Sequence, residues 1–163
     1  MNGYGGTILR VNLTDRTIKK EPTPEWLAEK FLGGRGFGAY FVYTEVPKRA
    51  DPLGPENKLV ISAGVLSGML VPGGGKTDIS CKSPLTGGYA GANVGGLLSA
   101  EMRYAGYDSI IIEGASDTPV YLYINDDTVE IRDAGEYWGM GSLTLERTLK
   151  DRLGEEFQIA TIG

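Results

Sequence analysis

Apolar and polar residues alternate from Gly6 to Leu13 (GTILRVNL), the period of a half-buried strand. The turn residues Thr14-Asp15-Arg16-Thr17 follow, and Ile18 to Glu21 returns as the second arm of a hairpin. Thr23-Pro24-Glu25 then reads as a helix start, with Thr as N-cap and Pro in the first helical position. Trp26, Leu27 and Phe31 give that helix an apolar face, and Gly33-Gly34 ends it. Gly36 to Val46 fits a second helix, although its aromatic and β-branched residues also suit a strand. Pro47 to Asn57 is a proline-rich loop, and Lys58 to Ala63 a buried strand. Thr77 to Lys82 is the next strand, closed by a turn at Ser83 to Gly87. Gly95 to Tyr104 predicts a helix with Leu97, Leu98 and Met102 on one face. Asp108 to Gly114, Pro119 to Asn125 and Thr128 to Arg132 are short strands, the last two joined at Asn125-Asp126-Asp127. Leu145, Leu149 and Leu153 recur every fourth residue in an amphipathic helix from Ser142 to Leu153, and Phe157 to Ile162 predicts a final strand.

Hairpins mixed with a few helices, in no regular strand–helix–strand order, argue for an α+β fold. At 163 residues the chain is one domain's worth, with room for a core. A hydrophobic strand that stops at Gly163 reads as a piece cut from something longer. The net charge of −5, with no basic stripe on any predicted helix, argues against nucleic-acid binding. No stretch is apolar enough to span a bilayer and the N-terminus lacks the layout of a secretory signal, so a cytoplasmic location is expected.

Composition narrows the chemistry further. With one cysteine and no histidine, the chain cannot build an intrachain disulfide, a zinc–thiolate site, an iron–sulfur cluster or a histidine-based triad. Cys81 reads as a small, half-buried hydrophobe. Glycine is in excess, at 25 residues, and concentrates between Gly73 and Gly96 (GGGKTDISCKSPLTGGYAGANVGG). Glycines let a ligand approach the backbone closely, and lysines beside them suit anions, phosphates above all. The segment therefore reads as a binding surface, against the alternative of tight turns in a β-rich domain. Gly73-Gly74-Gly75-Lys76 lacks the Walker A spacing, and Gly33 to Gly38 follows a helix rather than a strand, unlike a dinucleotide fingerprint. Arg35, inside that second run, could hold a carboxylate or phosphate, or could be a surface arginine between two helices. Asn93-Val94-Gly95-Gly96, placed before a predicted helix, could offer main-chain N–H groups to an anion and an amide oxygen to a hydrated cation, or could be a plain Asn N-cap.

An ordered set of landmarks then resembles the N-terminal domain of the aldehyde ferredoxin oxidoreductase family. They are Arg10 to Thr14, Leu32 to Gly36, Asp51-Pro52-Leu53 with Pro55 to Lys58, Gly64 to Gly68, Lys82 to Gly87, Ala92 to Gly96, Tyr104 to Asp108 and Val129 to Ala134. The resemblance implies two antiparallel or mixed β-sheets with three to four helices, forming over residues 1–163 a single N-terminal domain that cradles a cofactor and ends before the cluster-binding domains. It implies a tungsten- or molybdenum-bis-pterin with Mg²⁺, and a 4Fe-4S cluster, in the parent enzyme, with none of them retained by this piece alone. The position matching Lys76 would touch the pterin, and the one matching Asn93 would lie at the phosphates and their bridging Mg²⁺, beside the main chain of Val94, Gly95 and Gly96. The family's usual residue at Lys76 is arginine, and lysine keeps the charge without the planar fork. The family oxidises aldehydes to carboxylic acids and passes the electrons through the cluster to ferredoxin, so the expected partners are the parent's remaining domains and ferredoxin, with self-association of an exposed docking face a further expectation. The alternatives are a non-catalytic pterin- or phosphate-binding or assembly module, or the small subunit of a split enzyme.

Overall fold

Two sheets organise the chain, and the outer edge of the larger one forms the feature of interest. The computed structural model describes residues 3–162. In chain order the strands are β1 (Thr7–Asn12), β2 (Thr17–Pro22), β3 (Lys58–Ala63), β4 (Lys76–Lys82), β5 (Tyr89–Gly95), β6 (Tyr107–Glu113), β7 (Val120–Asn125) and β8 (Thr128–Asp133). The helices are α1 (Glu25–Phe31), α2 (Arg35–Glu45), α3 (Leu98–Tyr104) and α4 (Ser142–Leu153). Six strands form a mixed sheet in the order β2-β1-β6-β3-β4-β5, and β7 pairs with β8 in a separate hairpin. Only β1 and β6 run parallel; every other neighbouring pair is antiparallel.

Alternation along the strands sends side chains to two apolar layers. Ile8, Val60 and Ile111 point to one face, where Leu27 and Ala28 of α1 and Phe37, Phe41 and Val42 of α2 cover them. Leu9, Val11, Ile61 and Ile110 point to the other, under Leu98 and Met102 of α3 and the apolar residues of β7 and β8. A third cluster ties α4 to β7 through Leu149, Tyr137 and Tyr121. At the end of the first face remote from β5's glycines, Arg10 takes Glu45 with both terminal nitrogens (2.8 Å each) and Glu21 with Nε (2.6 Å), while Lys58 pairs with Glu113. Burial works against ionisation of Glu45, but the hydrogen bonds and charge of Arg10 and Lys58 outweigh it and hold the carboxyl below its ordinary range. No described helix is long and apolar enough to cross a membrane.

α2 rests on β4 through a missing side chain. A Cβ on Gly38 would fall 2.2 Å from Ser80 Oγ and 2.7 Å from Ser80 Cβ, on a residue that is itself fully buried. Gly38→Ala would normally gain about 1 kcal/mol of helix propensity. The clash reverses the sign: the expected outcome, by denaturant unfolding, is a loss of about 1–3 kcal/mol as α2 is levered off the sheet.

Three expectations change, and one strand forms where none was predicted. Thr23 does not cap α1: Pro24 holds that position, and the Thr23 hydroxyl donates instead to buried Asp108 (2.6 Å). Residues 89–95 form a strand, because β4 offers them a ladder that outweighs their poor strand propensity. The helix predicted from Gly95 begins only at Leu98, and Leu97 is exposed at its N-cap. Residues 157–162 form no strand; Phe157 stacks at a tilt on Tyr123 (5.4 Å) and Ile159 packs against the cluster of Ala134, Tyr137 and Leu149, with no ladder partner among the described residues.

Candidate functional site

Strand pairing brings the two halves of the glycine-rich segment together. In the β4–β5 ladder Lys76 lies opposite Gly95, Thr77 opposite Val94 and Asp78 opposite Asn93. Lys76 and Asn93, seventeen positions apart in the chain, thus belong to one face of one edge hairpin. A Cβ on Gly95 would sit 3.8 Å from Lys76 Nζ, so the ammonium reaches across to lie over the bare Gly95 backbone. Among the described residues no carboxylate or hydrogen-bond acceptor partners that ammonium, and Lys76, Asn93, Val94, Gly95 and Gly96 are all exposed.

The main chain is open at the same place. Lys76 O accepts from Gly64 N (2.8 Å), so the main chain of Lys76 turns toward β3 and that of Thr77 toward β5. Thr77 is opposite Val94, so Val94 bonds inward, and by alternation Asn93 and Gly95 turn their N–H and C=O groups out along the free edge. An unpaired ammonium beside outward N–H donors on a side-chain-poor strand is complementary to a phosphate or other compact anion.

The ladder brings Lys76, Asn93, Val94 and Gly95 together, with Gly96 one residue beyond it, but by a different route from the one expected. Asn93 is no helix cap, and α3, seven residues long and starting at Leu98, does not point its N-terminus at an anion from Asn93. The ladder, not a helix end, supplies the donors. Among the described residues no three carboxylates or thiols gather as a metal site. Cys81 is half-buried, and burial pushes its thiol up, away from the thiolate a metal or an electrophile would need.

Beneath the exposed groups runs a buried polar line, of which the sequence showed only Arg35, as a residue that could hold a carboxylate. Asp78 is almost fully buried, and its Oδ1 accepts from Ser80 Oγ. Since that bond uses the Ser80 proton, Tyr89 OH must donate to Ser80 Oγ (2.8 Å). Arg35 Nε approaches the other Asp78 oxygen at 3.4 Å. The signal was there as alternation: Lys76, Asp78, Ser80 and Lys82 are polar at every second position, on the face that α2 covers.

Residues 8–163 match the family model for the aldehyde ferredoxin oxidoreductase N-terminal domain. The chain is 53% identical, over its whole length, to a tungsten-containing aldehyde ferredoxin oxidoreductase of Pyrococcus abyssi, and 44% identical over 97% of its length to an aliphatic sulfonate oxidoreductase, WOR-like subunit, of Pyrococcus furiosus. It spans only 27% and 26% of those two proteins. Among solved structures, the active site complex BamBC of benzoyl coenzyme A reductase, in complex with 1,5-dienoyl-CoA, superposes with a TM-score of 0.91 at 40% identity, covering 94% of this chain and 24% of that one.

Proposed function

The chain belongs to the aldehyde ferredoxin oxidoreductase family, through its N-terminal domain, and from that premise we propose that it forms part of the seat of a tungsten- or molybdenum-pterin cofactor in a larger oxidoreductase. The observation that carries this reading is the Lys76 ammonium, unpaired among the described residues, lying over Gly95 beside the outward main chain of Asn93 and Gly95. Asn93, Val94, Gly95 and Gly96 would hold the phosphorylated tails and their Mg²⁺, with Asn93 as the Mg²⁺ contact, and Lys76 would set its positive charge against the pterin. When bound, the metal centre provides two-electron oxidation of an aldehyde to a carboxylic acid, with a 4Fe-4S cluster leading the electrons to ferredoxin. This chain, with one cysteine, orients and charge-balances the cofactor and leaves the cluster ligands to the rest of the protein.

Two further facts support the division of labour. Relatives of 40–53% identity are named for unlike substrates (aldehydes, aliphatic sulfonates, a coenzyme A thioester), which fits a domain that holds what they share rather than what they discriminate. In the loop that leads into β4, Leu66, Met69, Leu70 and Val71 are exposed, as are Val94 on β5 and Leu97 just after it. An apolar rim of that kind suits coverage by the remaining three-quarters of the relatives' length.

The test is elemental and spectroscopic. The protein that carries this domain, purified from cells supplied with tungstate, is expected to hold tungsten, pterin and iron and to reduce ferredoxin in the presence of an aldehyde, whereas the 163-residue chain alone is expected to hold little or no tungsten. A metal-free larger protein, or stoichiometric tungsten on the short chain, contradicts the proposal.

A further inference from the structure

Arg35 lies on the same face as the seat, beside the buried carboxylate of Asp78. It follows Gly34, whose N–H bonds Ala63 O (2.9 Å), and Ala63 is opposite Thr77, so Arg35 enters at the end of the sheet where Lys76 stands. Its Nε faces Asp78 Oδ2 at 3.4 Å, and Asp78, two residues after Lys76 on β4, projects to the same side. Asp78 is 1% exposed, while the Arg35 side chain is 57% exposed. Its two terminal nitrogens have no acceptor among the described residues, so one edge of the guanidinium is held by a buried carboxylate and the other is open. Asp78 is in turn fixed by Ser80 and Tyr89, and Gly38 of α2 closes over it.

We infer that Arg35 is a second cationic contact of the Lys76 seat, held by the buried Asp78 so that its open edge takes an anionic oxygen of the same ligand. The inference rests on the reading of Lys76 and Gly95 as a phosphate-binding edge. Two cations then stand on the face that Lys76, Asp78 and Gly95 share, and only one carboxylate, turned inward and already bonded, stands among them. A guanidinium anchored through Nε presents its terminal N–H pair in the fork that matches two phosphate oxygens, which an ammonium cannot supply. Arg35 thereby provides the planar contact that lysine, at position 76, lacks.

A purely structural role for Arg35 would be to neutralise Asp78, and the double variant R35Q/D78N separates the two. It removes the ion pair without leaving a lone buried carboxylate. Inorganic pyrophosphate is titrated into the 163-residue chain at low salt, following the amide resonances of Asn93 and Gly95 by NMR, with thermal unfolding of each variant alongside. R35Q/D78N is expected to unfold near the wild-type temperature and to bind pyrophosphate about tenfold or more weaker, with R35K in a wild-type Asp78 background intermediate. Wild-type affinity in a folded R35Q/D78N chain, with binding still weakened by K76A, overturns the role of Arg35 and leaves the seat standing. Absence of pyrophosphate binding by the wild-type chain, or binding indifferent to K76A, overturns the seat reading and this inference with it.

Discussion

Asp108→Ala is expected to cost the fold about 3–5 kcal/mol, a large share of the roughly 5–15 kcal/mol that holds a domain of this kind together. Asp108 is fully buried and saturated: its oxygens accept from Gly5 N (2.8 Å), Gly6 N (2.9 Å), Thr23 Oγ1 (2.6 Å) and the Arg103 guanidinium. Arg103 is buried as well, donates to Gly3 O (3.0 Å) and Gly64 O (3.3 Å), and lies over the Tyr4 ring (5.0 Å). One carboxylate thus binds the start of β1, the entry to α1, α3 and β6. Removing it strands a guanidinium in the interior whose Nε already has no partner among the described residues. Asp108→Asn keeps the shape but not the charge and is expected to fall between. A compensating Asp108→Ala/Arg103→Met pair should recover much of the loss, because the stranded charge, more than the missing attraction, sets the cost. Urea denaturation of the four chains measures this directly. The hub also bears on the site, since Gly64, which Arg103 holds by its carbonyl, donates its N–H to Lys76 O.

Lys76→Ala is expected to do the opposite: leave stability within about 0.5 kcal/mol and weaken an anionic ligand by about tenfold to a hundredfold. The side chain is exposed and without a partner among the described residues, so its removal strands nothing. What disappears is a charge-assisted contact over a backbone that offers N–H donors but no charge of its own. Lys76→Arg should bind at least as well, whereas Lys76→Glu should abolish binding by setting a carboxylate against the anion. Calorimetric titration with pyrophosphate, paired with thermal unfolding, separates this pattern from a general loss of structure. If Lys76→Ala lowers stability by several kcal/mol, Lys76 is a structural residue and not a ligand contact.

Local chemistry made much of the fold legible. The β1–β2 and β7–β8 hairpins carry β-branched and aromatic residues on either side of their own turn residues, and α4 shows its leucine stripe, so short-range physics suffices for them. The twofold reading of α2 resolves to helix because Phe37, Phe41 and Val42 form one buried face at helical spacing. β5 was illegible for the reason that makes it useful. A run of Tyr-Ala-Gly-Ala-Asn-Val-Gly has almost no strand signal, and only the ladder of β4 draws it into the sheet. The same paucity of side chains leaves its backbone accessible. Thr23 misled in the same way: a distant carboxylate, 85 residues along, outcompetes the local N–H groups for its hydroxyl. Of the proposed seat, Lys76 and Asn93 to Gly96 stand out in the sequence as a glycine-rich segment with a charge, whereas the buried Asp78 and its tie to Arg35 depend on how α2 crosses β4, which no local pattern states.

The most direct measurement is a crystal structure of the tungsten-loaded protein that carries this domain. The expected result places phosphate oxygens of the cofactor about 2.7–3.2 Å from outward N–H groups of the Asn93–Gly96 backbone, with the Lys76 ammonium against the same cofactor. Density for the cofactor on any other surface of this domain, with Lys76 and Gly95 facing solvent or protein alone, contradicts it.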